Sequence, residues 1–281
     1  MKMAAIQMVS GTSVERNLVQ AGVLLEQAAA QGAELAVLPE YFCLMGLQDS
    51  DKLEVQEPFG TGPIQDFLSQ SARRLRMWIV GGTLPLATTQ PARARNSSLV
   101  FNPDGLCIAR YDKIHLFRFD NGQESYDESC VLERGAQPVT FDLASTDGHS
   151  YRIGMSVCYD LRFPELYRQL RADILLVPSA FTFTTGQAHW EILLRARAIE
   201  NLAFVLASAQ GGVHENSRKT WGHSMIIGPW GQILAEHGQG SGVVVAEVMK
   251  ETLQSARSRL PALDHAVLAL PLQNDPNSTN R

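Results

Sequence analysis

Residues 32–40 read GAELAVLPE, and residues 171–179 read RADILLVPS. Both place Ala and an acid before four aliphatic residues, then close on Pro and a polar residue. A short, continuous apolar run bounded by turn residues reads as a strand buried on both faces. Two further pairs follow in the same order: MWIVGGT (77–83) with AFVLASA (203–209), and SLVFNPDG (98–105) with SMIIGPWG (224–231). The chain is therefore read as two similar halves, each running strand, helix, strand, helix, strand, strand. Helices are predicted over 13–31 and 61–76 in the first half, and over 164–171 and 186–201 in the second. A sheet that is apolar on both faces needs cover on both. Helices supply it on one side, and the economical cover for the other side is the second sheet. The predicted fold class is thus α/β, a four-layer α-β-β-α sandwich. No Pro/Gly/Ser-rich linker separates the halves, so residues 1–272 are expected to form one domain. The polar segment QNDPNSTNR (273–281) reads as a tail.

Composition narrows the function. A net charge of −5 gives no basic footprint for nucleic acid. No window is long and apolar enough for a membrane span. The opening MKMAAIQMVSG alternates like a strand and lacks the apolar run of a signal peptide. The four cysteines, Cys43, Cys107, Cys130 and Cys158, form no CxxC pair, and the histidines do not join them at zinc spacing. No phosphate-binding loop or dinucleotide fingerprint is present. The expectation is a cytoplasmic protein in a reducing setting, with no metal and no cofactor.

In α/β sheets ligands bind outside the carboxyl ends of the strands. That rule selects Glu40 after ELAVLP, Lys113 after LCIARYD and Cys158 after RIGMSV. Lys113 is one of only five lysines against nineteen arginines, and it stands among apolar residues in RYDKIHLF. Strand alternation puts Cys158 on one face with the small residues Gly154 and Ser156, as beside a pocket. The other three cysteines are assigned to structure. The chemistry joins the three residues: a thiol becomes a nucleophile when a base takes its proton, and an ammonium stabilises the oxyanion formed on attack at a carbonyl. His149 precedes its strand and is expected at the far end from Cys158, which leaves Glu40 as the base.

With these residues in place, AVLPE, YDKIHLF and GMSVCYDLRFPEL resemble the three signatures of the nitrilase (carbon-nitrogen hydrolase) superfamily, and the likeness runs from about residue 2 to about 265. The resemblance implies the α-β-β-α fold, assembly into dimers or larger homo-oligomers, and the roles of general base for Glu40, oxyanion stabiliser for Lys113 and nucleophile for Cys158. It also implies a second glutamate near the site, for which Glu128 in SYDESCVL matches and Glu124 is the rival. The segments PSAFTFTTGQAHWEILLRARAIEN and QGGVHENSRKTWGHSMIIGPWG resemble the branch of deaminated glutathione amidases and omega-amidases, which cleave amides of 2-oxoglutarate, and the stretch GGVHENSRKTWGHSM resembles the former more. Such a small-molecule substrate carries carboxylates. Arg162 is a candidate to meet one of them, or else to pair with Glu165; Arg218 or Lys219 would meet another at a basic rim, or else stay solvated. Tyr41, Tyr126, Tyr159 and Phe181 are candidates for the pocket wall or for ordinary packing, and Glu191 and Arg195 form an i,i+4 pair. A silent scaffold would be expected to have lost Glu40 or Lys113, and a thiol redox sensor to carry a second cysteine near Cys158. Neither pattern is present.

Overall fold

The computed structural model describes residues 1–122 and 124–268. The segment 273–281 expected as a tail, and the last residues of the expected domain, lie outside the described residues. Strands β1 (Lys2–Gln7), β2 (Leu35–Val37), β3 (Trp78–Val80), β4 (Leu84–Ala87), β5 (Ala94–Phe101) and β6 (Cys107–Asp112) belong to the first sheet. A hairpin, β7 (Arg118–Asp120) and β8 (Ser125–Asp127), follows. The second sheet takes β9 (Thr140–Ala144), β10 (Ser150–Met155), β11 (Ile174–Leu176), β12 (Phe204–Ala207), β13 (Ser224–Ile227) and β14 (Ile233–His237). Strand β15 (Gly242–Glu247) returns to the first sheet, beside β1.

The two sheets share a plan. In the first, β1, β2 and β3 are parallel and β5 runs antiparallel beside β3. In the second, β10, β11 and β12 are parallel and β13 runs antiparallel beside β12. The intervening helices are α1 (Val14–Ala30) and α3 (Pro63–Leu75) in the first half, with the short α2 (Asp51–Glu54) between them. In the second half they are α4 (Pro164–Leu170) and α5 (Phe183–Asn201), and α6 (Lys250–Arg259) follows β15. The sequence pairs noted above therefore fall on equivalent strands, β2 with β11, β3 with β12 and β5 with β13. The predicted helix 186–201 begins earlier, at Phe183. Thr182 takes an extended conformation there and its carbonyl accepts from Gly186 N, so the Thr-Thr-Gly run reads locally as a turn yet starts the helix.

Each helix is set by a buried stripe. Ala21, Leu24, Leu25 and Ala28 of α1 join Ile64, Leu68 and Ala72 of α3 against Ala4, Ile6, Ala36 and Ile79 on the outer face of the first sheet. The other face of that sheet, with Met3, Ala5, Leu35, Val37 and Val80, shares one core with the second sheet. Ser208 Oγ crosses the seam to donate to the Val37 carbonyl at 2.7 Å. Tyr167, Leu170, Trp190, Leu194 and Ala198 of α4 and α5 close the outer side of the second sheet. The layers are α-β-β-α, as predicted.

At the carboxyl ends of the parallel strands the two sheets are stitched together. Gln210 Nε2 donates to the Glu40 carbonyl and to Ser10 Oγ. Gly82, at φ 45°, passes under the turn after β2, where a Cβ would lie 2.0 Å from the Pro39 carbonyl oxygen. Only glycine permits that approach.

Candidate active site

Glu40, Lys113, Glu128 and Cys158 come together on this rim. Glu40 follows the turn after β2 and is 1% exposed. Its Oε1 accepts from Asn96 Nδ2 at 2.8 Å and from Lys113 Nζ at 2.9 Å. Its Oε2 accepts from the backbone N–H of Ala180 at 2.8 Å. Ala180 follows Ser179, the residue that matches Glu40 in the second half, so the two equivalent loops meet at this carboxylate.

Lys113 follows β6 and is also 1% exposed. Its ammonium touches Glu40 and both oxygens of Glu128, at 2.9 and 2.8 Å. Burial works against its charge, but the carboxylates of Glu128 and Glu40 overcome that and hold Lys113 firmly protonated. Glu128 opens a 3-10 turn at Glu128–Cys130 and accepts as well from Phe117 N at 2.7 Å and from the Tyr41 hydroxyl at 2.8 Å. Burial tends to raise its pKa, yet the Lys113 charge and these hydrogen bonds bring it below the ordinary value. Glu124 lies outside this cluster and accepts from Thr184 Oγ1 at 3.4 Å.

Cys158 is buried, and burial is the main reason its pKa lies well above the usual thiol range; the Glu40 charge adds to this and Lys113 opposes it. The alternation expected for Cys158 does not hold. Strand β10 ends at Met155, and Cys158 takes a left-handed φ of 50° at the start of the 3-10 turn Cys158–Arg162. Gly154 and Ser156 face α4 instead: a Cβ on Gly154 would sit 2.9 Å from Leu170 Cδ1, and Ser156 Oγ bonds the Tyr167 hydroxyl at 2.7 Å. The chain turns before it reaches the cysteine, which directs the thiol to the rim. A left-handed L-residue carries a strain of about 1–2 kcal/mol, here held by the bond from Cys158 N to the Pro178 carbonyl at 2.9 Å.

A pocket opens over the sulfur. Glu40, Glu128 and Cys158 form its floor, and Phe117, Tyr159, Phe181, Thr182, Thr185 and Arg218 surround it. Tyr159 and Phe181 thus line it, as the sequence suggested. Arg162 does not. It pairs neither with Glu165 nor with the site acids; its guanidinium lies over the rings of Tyr159 and Phe181, 5.8 and 5.4 Å from their centroids, and reaches His189 Nδ1 at 3.3 Å. Arg218 is in the wall, stacked 4.7 Å over Tyr126, with its Nε buried and without a hydrogen-bond partner among the described residues. Lys219 is exposed and outside the lining. Glu191 and Arg195 pair on the surface of α5, at 3.0 Å. Asn96, Phe117, Thr182 and Thr185 were not singled out from sequence. Asn96 meets Glu40 from another strand, whereas Thr182 and Thr185 bond each other at the start of α5, where the Thr-rich TFTT stretch offered a local signal. Among the described residues no group of three or more His, Cys, Asp or Glu is arranged to hold a metal ion.

Residues 2–258 match the Carbon-nitrogen hydrolase family. The chain belongs to that family. Among curated relatives, the deaminated glutathione amidase of Synechocystis sp. (strain PCC 6803 / GT-S) is 40% identical, over 94% of this chain and 97% of that one. The omega-amidase NIT2 of Homo sapiens is 33% identical over 92% of each. Among solved structures, the Caenorhabditis elegans NitFhit protein superposes with a TM-score of 0.86 at 34% identity, covering 95% of this chain and 65% of that longer one. As a carbon-nitrogen hydrolase the chain is an enzyme.

Proposed function

We propose that this enzyme is an amidase that cleaves amides of 2-oxo acids through a thioester on Cys158, with deaminated glutathione as its preferred substrate. The observation that carries the mechanism is Lys113 Nζ fixed between Glu40 and Glu128 on the rim that also holds Cys158. Glu40 takes the thiol proton as sulfur attacks the amide carbon. Once neutral, Glu40 loosens its hold on Lys113, and an N–H of the ammonium turns to the developing oxyanion. Glu40 then gives its proton to the leaving nitrogen as the C–N bond breaks. Next it deprotonates water, whose oxygen attacks the thioester carbonyl; as the C–S bond breaks, Glu40 returns that proton to the leaving sulfur, freeing the acid and restoring the thiol. Glu128 keeps the ammonium charged and in place throughout.

Deaminated glutathione would yield 2-oxoglutarate and cysteinylglycine, a leaving group ending in a carboxylate. The unpaired Nε of Arg218 is the cationic donor in the pocket wall suited to it. Ammonia, the leaving group from 2-oxoglutaramate, needs no such partner. The test compares kcat/KM on the two amides. Deaminated glutathione should be favoured by tenfold or more, in keeping with roughly 1.5–3 kcal/mol for a charged contact. Arg218→Ala should erase that preference while turnover of 2-oxoglutaramate is kept, and Lys219→Ala should leave the preference intact. A wild-type preference for 2-oxoglutaramate moves the protein to the omega-amidase reading.

We also infer a cytoplasmic homodimer that acts on small molecules and binds neither nucleic acid nor membrane. The cysteines remain free thiols, and no helix among the described residues is long and apolar enough to cross a membrane. Ile192 and Ile199 on α5, 70% and 48% exposed, and Trp230 beyond β13, 54% exposed, give an apolar face suited to self-association. Light scattering should return twice the chain mass, and Ile192→Glu with Ile199→Glu should return the chain mass.

A further inference from the structure

We infer that Asp160, with Tyr111 and His115, forms a positioning clamp that fixes the Lys113 segment to the Cys158 turn. The inference rests on the roles proposed above for Lys113 and Cys158, and it concerns residues that touch neither pocket nor substrate.

Asp160 is 0% exposed. A carboxylate this deeply buried is costly unless every lone pair is met. Four donors meet this one. Oδ2 accepts from the Tyr111 hydroxyl at 2.7 Å and from Val157 N at 2.8 Å. Oδ1 accepts from His115 N at 3.1 Å and contacts His115 Nδ1 at 2.7 Å, where a ring proton on Nδ1 completes the bond. His115 is itself stacked flat on Phe163, centroids 3.6 Å apart and planes 5° apart, so the ring cannot swing away cheaply.

The placement of the donors gives the arrangement its meaning. Tyr111 and His115 stand two residues before and two residues after Lys113. Val157 and Asp160 stand on either side of Cys158. One carboxylate therefore grips both flanks of the Lys113 segment and the base of the left-handed turn at Cys158. These two segments leave different sheets, β6 from the first and β10 from the second. Side-chain packing between layers tolerates small slips, whereas four directed bonds to one group do not. The distance from the ammonium to the sulfur is then set by Asp160. A misplacement of about 1 Å between reacting groups can cost about a hundredfold in rate.

The test uses Tyr111→Phe, His115→Leu and His115→Asn in the full-length enzyme, assayed on the preferred amide with Cys158→Ala as the inactive reference. Tyr111→Phe removes one hydroxyl and should lower kcat by about ten- to a hundredfold, with KM changed less than threefold. His115→Leu removes the ring donor and should do the same. Asn carries an amide where the histidine has Nδ1, so His115→Asn should recover most of the lost kcat. If the ring mattered only through its stacking on Phe163, Asn would fall at least as far as Leu, and the clamp would be overturned. It would be overturned equally by wild-type kcat in Tyr111→Phe, or by a change confined to KM. An active Cys158→Ala would instead overturn the thioester mechanism, which keeps the two failures apart.

Discussion

Replacing Cys158 with Ala should reduce turnover by about 10⁴-fold or more, the scale seen when a covalent nucleophile is removed from an enzyme that uses one. No other thiol can take over. Cys107 and Cys130 are exposed and are not in the pocket lining. Cys43 is buried, and burial pushes its pKa up to about 12. The same intermediate should be visible directly. Wild-type protein quenched in acid during turnover should gain the mass of the acyl group, and hydroxylamine, which cleaves thioesters, should remove that mass. Glu40→Gln should block the reaction as well, because burial and the neighbouring carboxylates raise the Cys158 pKa, so the thiol needs a base, the role proposed for Glu40. If Cys158→Ala retains turnover within tenfold of wild type, covalent catalysis at this residue is wrong.

The second large effect is expected at Lys113. Lys113→Met keeps much of the volume and removes the charge, and kcat should fall by about 10²–10³-fold, as when an oxyanion donor is lost. KM should change little, because the ammonium is committed to Glu40 and Glu128 until the oxyanion forms. The loss has a second signature. Without the ammonium, two buried carboxylates face each other unpaired. The Lys113 charge holds the Glu128 pKa down against burial, so its removal should raise that pKa. Lys113→Arg should not restore the rate, because a planar fork does not fit a site shaped for a compact ammonium that is 1% exposed. An effect on KM alone would show that Lys113 binds substrate and does not stabilise the transition state.

Much of this architecture was legible because burial on both faces leaves a plain mark. The runs LAVL and ILLV have no polar residue to spare, and their recurrence in order with other strand pairs exposed the repeat. Glu40, Lys113 and Cys158 were legible because each stands at the carboxyl end of a strand. The rest depended on contacts that chain order does not encode. Whether Glu124 or Glu128 joins the site is decided by Lys113 and Tyr41, which lie 15 and 87 residues from Glu128. Arg162 looked suited to a carboxylate, yet the tight turn after Cys158 carries it onto the Tyr159 and Phe181 rings. The alternation argument for Cys158 failed because a pattern of period two cannot anticipate a left-handed residue. Asp160 and His115 passed unremarked, since an acid and a histidine 45 residues apart carry no local sign of a shared bond.

The pairing of β1 with β15 bears on how the chain reaches this state during synthesis. Lys2 lies opposite Glu247 and Gln7 opposite Gly242, so β1 receives its outer neighbour only after β2 to β14 have been made. Until then β1 is an open edge, and the inner face of its sheet waits for β10 to β13 to cover it. Closing a loop of this length costs little more than closing one half as long, but the search for it is slow. Until β15 is made, a ribosome-bound chain therefore presents an unpaired edge and a bare apolar face, the two features that invite aggregation. The first half is poorly placed to fold ahead of the second, and a nascent chain released early would be a substrate for chaperones and proteases.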